Sequence, residues 1–163
     1  MANLFNRGLL ATGALTLALA GCGGGDTGGA ELSATQSQAI KDRQANFKDI
    51  GKSFKAIRSE LEGSEPDLAV IAASADALNA SAQRVPGLFP EGTSMDSGAK
   101  TEALSVIWEK PEEFSEAAAA LVKASADIKA FAEAGDLSAV QGGVRSIGSS
   151  CKTCHDTFRV KKN

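Results

Sequence analysis

The 163-residue chain is short of the residue types that most metal and disulfide sites need. It has no tyrosine, one histidine and three cysteines, and aromatic residues make up 5% of it. A structural zinc site needs four cysteine or histidine ligands, more than this set offers once one cysteine serves elsewhere. No β-rich run is present, which excludes the strand-helix-strand context of a thioredoxin-like Cys-x-x-Cys site.

Positive charge does not exceed negative charge in the chain, which has 17 lysines and arginines against 20 acidic residues. The formal net charge is −3, and no basic stripe is visible in the sequence. The pair Lys161 and Lys162 is expected to be a solvated helix end. We therefore expect no nucleic-acid partner.

The N-terminal residues have the pattern of an export signal. Arg7 is followed by an apolar run over residues 9–20 that is too short to span a bilayer comfortably. Leu19-Ala20-Gly21-Cys22 also matches the bacterial lipobox, whose cysteine becomes the lipidated first residue. The alternative is an ordinary cleaved signal peptide with a spare cysteine. We predict a signal peptide over residues 1–21 and lipidation of Cys22.

A glycine-rich stretch follows Cys22 and predicts a flexible tether over residues 22–32. About ten such residues span on the order of 17 to 19 Å. Residues 33–163 then form one domain in the bacterial periplasmic space. We expect it to be held at the membrane by the lipid anchor only, at the outer rather than the inner membrane.

Apolar residues recur at intervals of three and four, which predicts helices throughout. The first helix is predicted over residues 33–62, and the second begins with a capping-box pattern at Ser64 and stops before Pro86. Residues 86–100 form a loop, and a short helical turn follows at 104–108. The third helix opens at Pro111 and ends at Gly135, and the fourth begins near Asp136. The fold class is therefore all-α, an antiparallel four-helix bundle.

The sequence Cys151-Lys152-Thr153-Cys154-His155 is the attachment signature of a c-type haem. Both sulfurs become thioethers, and the histidine binds the iron. Cys151, Cys154 and Phe158 continue the apolar stripe of the fourth helix, so the motif lies on its buried face. We predict one haem c, covalently bound through Cys151 and Cys154 near the C-terminus of the last helix, with His155 as an axial ligand.

A second axial ligand is missing from the sequence. His155 is the only histidine, and after export Met95 is the only methionine. Met95 lies in a loop, where an exposed position is expected. Phe47 on the first helix is best placed to face the other side of the haem and cannot coordinate iron. We therefore expect five-coordinate, high-spin iron with an apolar distal cavity that binds nitric oxide or carbon monoxide. Without a distal proton shuttle, we expect no enzymatic activity.

Two residues have alternative roles at this point. Arg43 lies on the apolar stripe of the first helix, and a buried charge needs a partner. Either it binds a haem propionate, or it extends to the rim of the bundle or pairs with a neighbouring carboxylate. Trp108 either packs on the haem or fills the end of the bundle.

Several of these motifs together resemble the cytochrome c prime family, the class II c-type cytochromes. The resemblance covers residues 34–161. It rests on Arg43-Gln44 with Phe47, on Phe89-Pro90-Glu91-Gly92-Thr93, on Ile107-Trp108, and on Cys151 to Asp156 followed by Phe158 and Arg159.

The resemblance implies roles for four of these residues. Phe47 would occlude the sixth coordination position, and Arg43 would lie near the propionates. Phe158 and Arg159 would border the proximal face of His155, although Phe158 also suits any bundle core and Arg159 a helix-end cation. The family further implies a homodimer through the first two helices, and binding of nitric oxide or carbon monoxide without oxygen.

Two functions follow from the sequence. The first is a lipoprotein that binds nitric oxide and lowers its free concentration. The second is a periplasmic one-electron carrier that exchanges with redox partner proteins. Low-spin members of the class place a methionine in the first helix, and this chain has none there. That difference favours the first function.

Overall fold

The computed structural model describes residues 31–161, and the described chain is helical. The predicted signal peptide, Cys22 and most of the predicted tether lie outside the described residues. The helices are α1 (Ala34–Glu62), α2 (Leu68–Arg84), α3 (Val106–Glu109), α4 (Pro111–Glu133) and α5 (Leu137–Phe158). The predicted all-α class is confirmed, and none of these helices has the length and apolar character needed to cross a membrane.

Side-chain caps set the start of α1 and of α5. The Ser33 hydroxyl accepts a hydrogen bond from the Gln36 backbone N–H, and the Gln36 side chain accepts one from the Ser33 N–H. This reciprocal pair is a capping box. Asp136 caps α5 by accepting from the Ala139 N–H. Both starts agree with the sequence prediction because the capping contacts are local.

The start of α2 differs from the prediction. The helix begins at Leu68 rather than at Ser64, and its cap is Asp67. The Asp67 carboxylate accepts from the backbone N–H groups of Ala69 and Val70. A carboxylate that satisfies two unpaired N–H groups is a strong start signal. Pro66 therefore precedes the helix instead of occupying its first turn.

The four long helices form the bundle, and α3 is a single turn. Helix α1 packs on α2, α2 on α4 and α4 on α5, whereas α1 and α5 make little contact. The core between them is fully buried and consists mainly of branched aliphatic side chains, including Ile57, Ile71, Leu78, Ile128 and Ile147. The unfilled space between α1 and α5 is where the functional site lies.

Helices α4 and α5 approach closely at Gly143. A Cβ atom added there would lie 2.5 Å from Cγ1 of Ile128, closer than carbon atoms can pack. Gly143 is buried on α5, and Ile128 is fully buried on α4. This contact holds the first half of α5 against the core and leaves its C-terminal half beside α1.

The long connection between α2 and α4 crosses the end of the bundle. Gln36 on α1 donates to the Glu91 carbonyl oxygen, and Gln44 donates to that of Lys100. At its other end the connection meets the C-terminus of α5. There the Leu104 N–H donates to the Phe158 carbonyl oxygen. Residues 101–104, here called the bridging segment, therefore join the first and last helices of the bundle.

Candidate haem site

A cavity of about 680 Å³ occupies the space between α1 and α5. Its size falls within the range of about 300 to 1,000 Å³ that is usual for ligand pockets. The wall is mainly apolar. Phe47 and Phe54 contribute from α1, Phe114 and Leu121 from α4, and Phe158 from α5.

All three residues of the attachment motif line this cavity. Cys151 and Cys154 are partly buried, and His155 is exposed at the mouth. They share one face of α5 because residues three and four apart lie on the same side of a helix. The two cysteines face inward as predicted, and His155 lines the same cavity.

The local environment sets the protonation of these side chains. Burial raises the pKa of the Cys151 thiol, and burial followed by the charge of Cys151 raises the pKa of Cys154 to about 11. Before the haem is attached, both sulfurs are therefore neutral thiols at physiological pH, unlike the thiolates that bind zinc. Burial of the imidazole and then the charge of Arg159 lower the pKa of His155. The neutral imidazole that results is the form that binds iron.

These residues fit a haem better than a bare metal ion. In the part of the chain that the structure describes, no three histidine, cysteine or acidic side chains cluster in a way that could hold a metal. Iron at this site would need further ligands, which a porphyrin supplies. The cavity offers the space, two sulfurs for covalent attachment and one imidazole.

The α1 side of the cavity has a bulky ring beside an open space. Phe47 is half-buried there, and its ring meets that of Phe89 edge to face, with 6.4 Å between centroids. One turn later Gly51 also lines the cavity, and a Cβ atom added to it would find no atom within 4 Å. An interior glycine costs a helix roughly 0.5 to 1 kcal/mol relative to alanine. Its presence keeps the space beside Phe47 open.

Arg43 is buried at the edge of the cavity with neutral hydrogen-bond partners. Its guanidinium donates to the Thr93 hydroxyl at 2.8 Å, to the Thr93 carbonyl at 2.6 Å and to the Thr101 hydroxyl at 2.6 Å. Its Cζ also lies 4.9 Å from the ring centroid of Phe89. Arg43 is 3% exposed, so the side chain does not extend to the rim of the bundle. Its hydrogen bonds satisfy the N–H groups without neutralising the charge.

Phe158 and Arg159 follow the motif at the end of α5. Phe158 is buried, and its ring contacts Phe114 edge to face at 5.3 Å, so it belongs to the core and lines the cavity. The Arg159 N–H donates to the His155 carbonyl oxygen. Its guanidinium lies 2.5 and 2.6 Å from Oε2 of Glu102. Arg159 is therefore an ion-paired residue of the site rather than only a helix-end cation.

Sequence reasoning missed Phe89 as a site residue. Its ring lies at the centre of an aromatic cluster, 4.8 Å from Phe114 and 6.2 Å from Trp108 as well as beside Phe47. The signal available in the sequence was one aromatic residue inside a proline- and glycine-rich loop. An aromatic side chain in a loop is expected to pack against other residues, but its position in the sequence does not show which ones.

Trp108 and Met95 lie outside the cavity lining. The Trp108 indole N–H donates to the Phe89 carbonyl oxygen at 3.0 Å, which favours the packing role at the end of the bundle. Met95 is 39% exposed, as expected for a loop residue. Thr93 and Thr101, which bind Arg43, and Glu102 were not anticipated as site residues.

Comparison with known proteins agrees with this geometry. Residues 38–159 match the sequence model of the family described as Cytochrome C′. The chain belongs to the cytochrome c′ family. Proteins of this family transfer electrons or bind small ligands at a haem rather than acting as typical enzymes. One covalent haem c, attached through Cys151 and Cys154, is therefore the cofactor of this cytochrome c′ chain.

Individual relatives match most of this cytochrome c′. A cytochrome c′ from Pararhodospirillum photometricum is 35% identical over 120 residues, which are 74% of this chain and 94% of the relative. A nitric oxide complex of a cytochrome c′ variant from Alcaligenes xylosoxidans has 28% identity and a TM-score of 0.70, covering 80% of this chain and all of that one. A cytochrome c′ with ligand-controlled dimer dissociation has 28% identity and a TM-score of 0.71, covering 81% and 100%.

Proposed function

We propose that this cytochrome c′ binds nitric oxide, and carbon monoxide, at a five-coordinate haem, and that it serves nitric oxide sequestration or tolerance. The haem would supply an iron with one open coordination position. His155 would hold the iron from one side. The α1 wall carries the proposal, because it contains no histidine, methionine or cysteine that could close the other side.

The residues of α1 that line the cavity support this assignment. Phe47, Ile50, Gly51 and Phe54 contain no metal-binding atom, and the polar members of this wall are Arg43, Gln44 and Lys48. Met95 is exposed and does not line the cavity. A neutral diatomic ligand suits an apolar wall, whereas an anion would lose hydration without gaining a partner. The solved nitric oxide complex of a relative supports the same ligand class.

Two arginines would position the cofactor. Arg43 keeps its charge at the cavity edge, where a haem propionate would provide the anion that its neutral partners do not. Arg159 and Phe158 would border the His155 side, with Glu102 holding the Arg159 guanidinium in place. We assign no catalytic residue, because the α1 wall has no histidine or carboxylate to move a proton.

An optical and resonance Raman spectrum of the purified holoprotein tests the proposal. We expect five-coordinate high-spin marker bands in both oxidation states and a new species on adding nitric oxide or carbon monoxide to the ferrous form. A low-spin ferrous spectrum with a methionine-type charge-transfer band in the ferric form would refute the open coordination position.

The cellular setting is part of the same proposal. A signal peptide over residues 1–21, acylation of Cys22 and a tether through residue 32 would place the domain at a periplasmic membrane surface, with the outer membrane expected. Mass measurement of the mature N-terminus should show acyl chains on Cys22. A bare cleaved terminus would refute the anchor without affecting the haem site.

We also propose a homodimer through α1 and α2. The relative with ligand-controlled dimer dissociation supports this assembly. Val70 on α2 is 41% exposed, and a second copy could cover it. Sedimentation of the holoprotein with and without carbon monoxide measures the assembly, and Val70→Glu should weaken it if Val70 lies in the interface.

One-electron transfer is the second candidate function. Exposed side chains such as Lys48 and Lys100 line the cavity, which favours this function, since a cofactor edge near the surface can exchange electrons with a partner. Open coordination is a disadvantage for this role, because a change of spin state adds reorganisation. The spectroscopic test above therefore also distinguishes the two functions.

A further inference from the structure

Four lysines of α1 form a row along one face of the helix. Lys41, Lys48, Lys52 and Lys55 are all exposed. At 3.6 residues per turn they fall within about 60° of one another and span about 21 Å. Because the lysines are dispersed in the sequence, their alignment appears only once the helix is known. The expectation of no basic stripe was therefore wrong for this surface.

The row reaches the cavity mouth. Lys48 lines the cavity, and so does Lys100 of the α2–α4 connection. The two are close because Gln44, one turn before Lys48, donates a hydrogen bond to the Lys100 carbonyl oxygen at 3.0 Å. Lys41, Lys48, Lys52, Lys55 and Lys100 together are here called the lysine row.

The lysine row is not neutralised within the described part of the chain. None of its members lies within 4 Å of a described carboxylate, whereas lysines elsewhere, such as Lys123 and Lys129, form ion pairs. Asp42 and Asp49, also on α1, lie roughly 90 to 110° around the helix from the centre of the row. Unpaired like charges one turn apart are destabilising. Their side chains are available to a partner protein when the homodimer through α1 and α2 leaves this face of α1 open.

The positive charge is local. The protein as a whole has a formal net charge of −3. Helix α4 carries five carboxylates, from Glu112, Glu113, Glu116, Asp127 and Glu133. Among the residues that line the cavity, Glu102 is the one carboxylate, and it contacts Arg159. The four lysine and arginine side chains that line the cavity thus outnumber Glu102 and the two propionates of the haem together, on an otherwise anionic molecule.

We propose that the lysine row is the docking surface for an acidic one-electron donor protein. This inference rests on the proposed function, since carbon monoxide binds ferrous rather than ferric haem, so the iron must be kept reduced. One electron passes from the reduced donor to ferric iron, and no covalent bond or proton is involved. Complementary charge would bring the donor to the cavity mouth and speed association.

The position of the row favours a protein over a membrane. Lys48 and Lys100 come from different elements and converge at the opening through which the haem edge would be reached. A donor protein needs this close approach for electron transfer. An anionic membrane needs only a flat face and gains nothing from the opening.

Small oxidants of opposite charge test the local field on the holoprotein. We expect anionic hexacyanoferrate(III) to oxidise the ferrous form faster at low salt than at high salt, despite the negative net charge. Cationic tris(phenanthroline)cobalt(III) should show the opposite dependence on salt. The variant Lys48→Gln/Lys52→Gln should slow the anionic reagent by about threefold or more at low salt.

The matched control is Lys123→Gln/Lys129→Gln, which removes the same charge from α4. It should change the rate much less than the variant in the row. Equal slowing by both variants, or a rate with hexacyanoferrate(III) that rises with salt in the unmodified protein, would overturn the proposal.

Lysine acetylation provides a readout that does not depend on redox activity. With poly-L-glutamate as the probe, Lys48, Lys52 and Lys100 should be protected and Lys123 should not. Protection by phosphatidylglycerol vesicles but not by poly-L-glutamate would overturn the protein assignment in favour of a membrane. Phosphatidylcholine vesicles give the background of an uncharged bilayer.

Failure of this inference is distinguishable from failure of the proposed function. Five-coordinate spectra and carbon monoxide binding, together with no preference for the anionic reagent, would reject only the docking surface. A six-coordinate spectrum would reject the proposed function, while the salt dependence would still report the charge of the surface.

Discussion

Thr101 and Glu102 are consecutive residues that bind two different arginines, one from the first helix of the bundle and one from the end of its last helix. The Thr101 hydroxyl accepts a hydrogen bond from Arg43 of α1 at 2.6 Å. The Glu102 carboxylate accepts one from Nε of Arg159, just after α5, at 2.6 Å. The bridging segment therefore connects the helix of Phe47 with the end of the helix of His155. A shift of either helix would disturb contacts of the other.

Neutralising Glu102 should raise the reduction potential of the iron and should change the stability of the protein only slightly. The ion pair with Arg159 is partly exposed, so Glu102→Gln should cost less than about 1 kcal/mol of unfolding free energy. Removing a negative charge beside the cavity disfavours the ferric form, so the midpoint potential should rise. Redox titration measures it, with Glu109→Gln, at an exposed residue of α3, as the control. An equal rise in both variants would contradict a role specific to Glu102.

Shortening Phe47 should speed ligand entry. The ring fills the α1 side of the cavity, and Phe47→Ala would remove it without adding a polar group. If the ring imposes a barrier of about 1.4 kcal/mol, carbon monoxide association should accelerate about tenfold. Flash photolysis measures the rate. Phe54→Ala, on the same cavity wall, is the control, and equal acceleration by both variants would remove any special role of Phe47.

Removing the Arg43 guanidinium should destabilise the protein strongly. Arg43→Met would leave the buried Thr93 hydroxyl without its donor and remove one of the links between the loop and α1. Hydrogen bonds from a charged donor contribute about 1.5 to 3 kcal/mol each, and not additively, so a loss of about 2 to 4 kcal/mol is expected. Arg43→Lys should recover only part of it because the planar fork is lost.

Denaturant unfolding of the holoprotein checks this result. Arg84→Met, at an exposed position of α2, should change the stability by less than about 0.5 kcal/mol. If Arg43→Met behaves like Arg84→Met, the network with Thr93 and Thr101 does not stabilise the fold.

Two alanine substitutions on α5 should have effects of opposite sign. Gly143→Ala would place a methyl group 2.5 Å from Ile128, and overpacking of this kind costs about 1 to 3 kcal/mol. Gly148→Ala meets no atom within 4 Å, so the better helix propensity of alanine should add about 0.5 to 1 kcal/mol. Thermal unfolding of both holoproteins measures the difference. A stabilising Gly143→Ala would show that α4 and α5 separate more easily than their packing implies.

The sequence predicts features of this protein that depend on neighbouring residues. Ser33 and Asp136 mark the starts of α1 and α5 in the sequence, because each side chain accepts a hydrogen bond from a backbone N–H of the helix that it caps. The haem motif is equally local. The start of α2 was missed because two capping residues, Ser64 and Asp67, compete over a short stretch, and only the folded chain shows that Asp67 is used.

Contacts between distant residues could not be read from the sequence. Arg43 is buried against Thr93 and Thr101, which lie in a loop with no regular spacing. A charged residue on an apolar stripe indicated that a partner exists, but nothing in the pattern identified neutral oxygens. The lysine row has the same origin, because Lys100 joins the α1 lysines only through the Gln44 contact.

The cavity between α1 and α5 allows the attachment of the cofactor and the choice of its ligand to change independently during evolution. Covalent attachment needs only residues 151–155, whereas the distal wall comes from the opposite end of the domain. Substitutions on α1 can therefore change which gases enter, and how quickly, while the haem remains attached. A lineage that kept residues 151–155 unchanged could acquire new ligands through substitutions in its first helix alone.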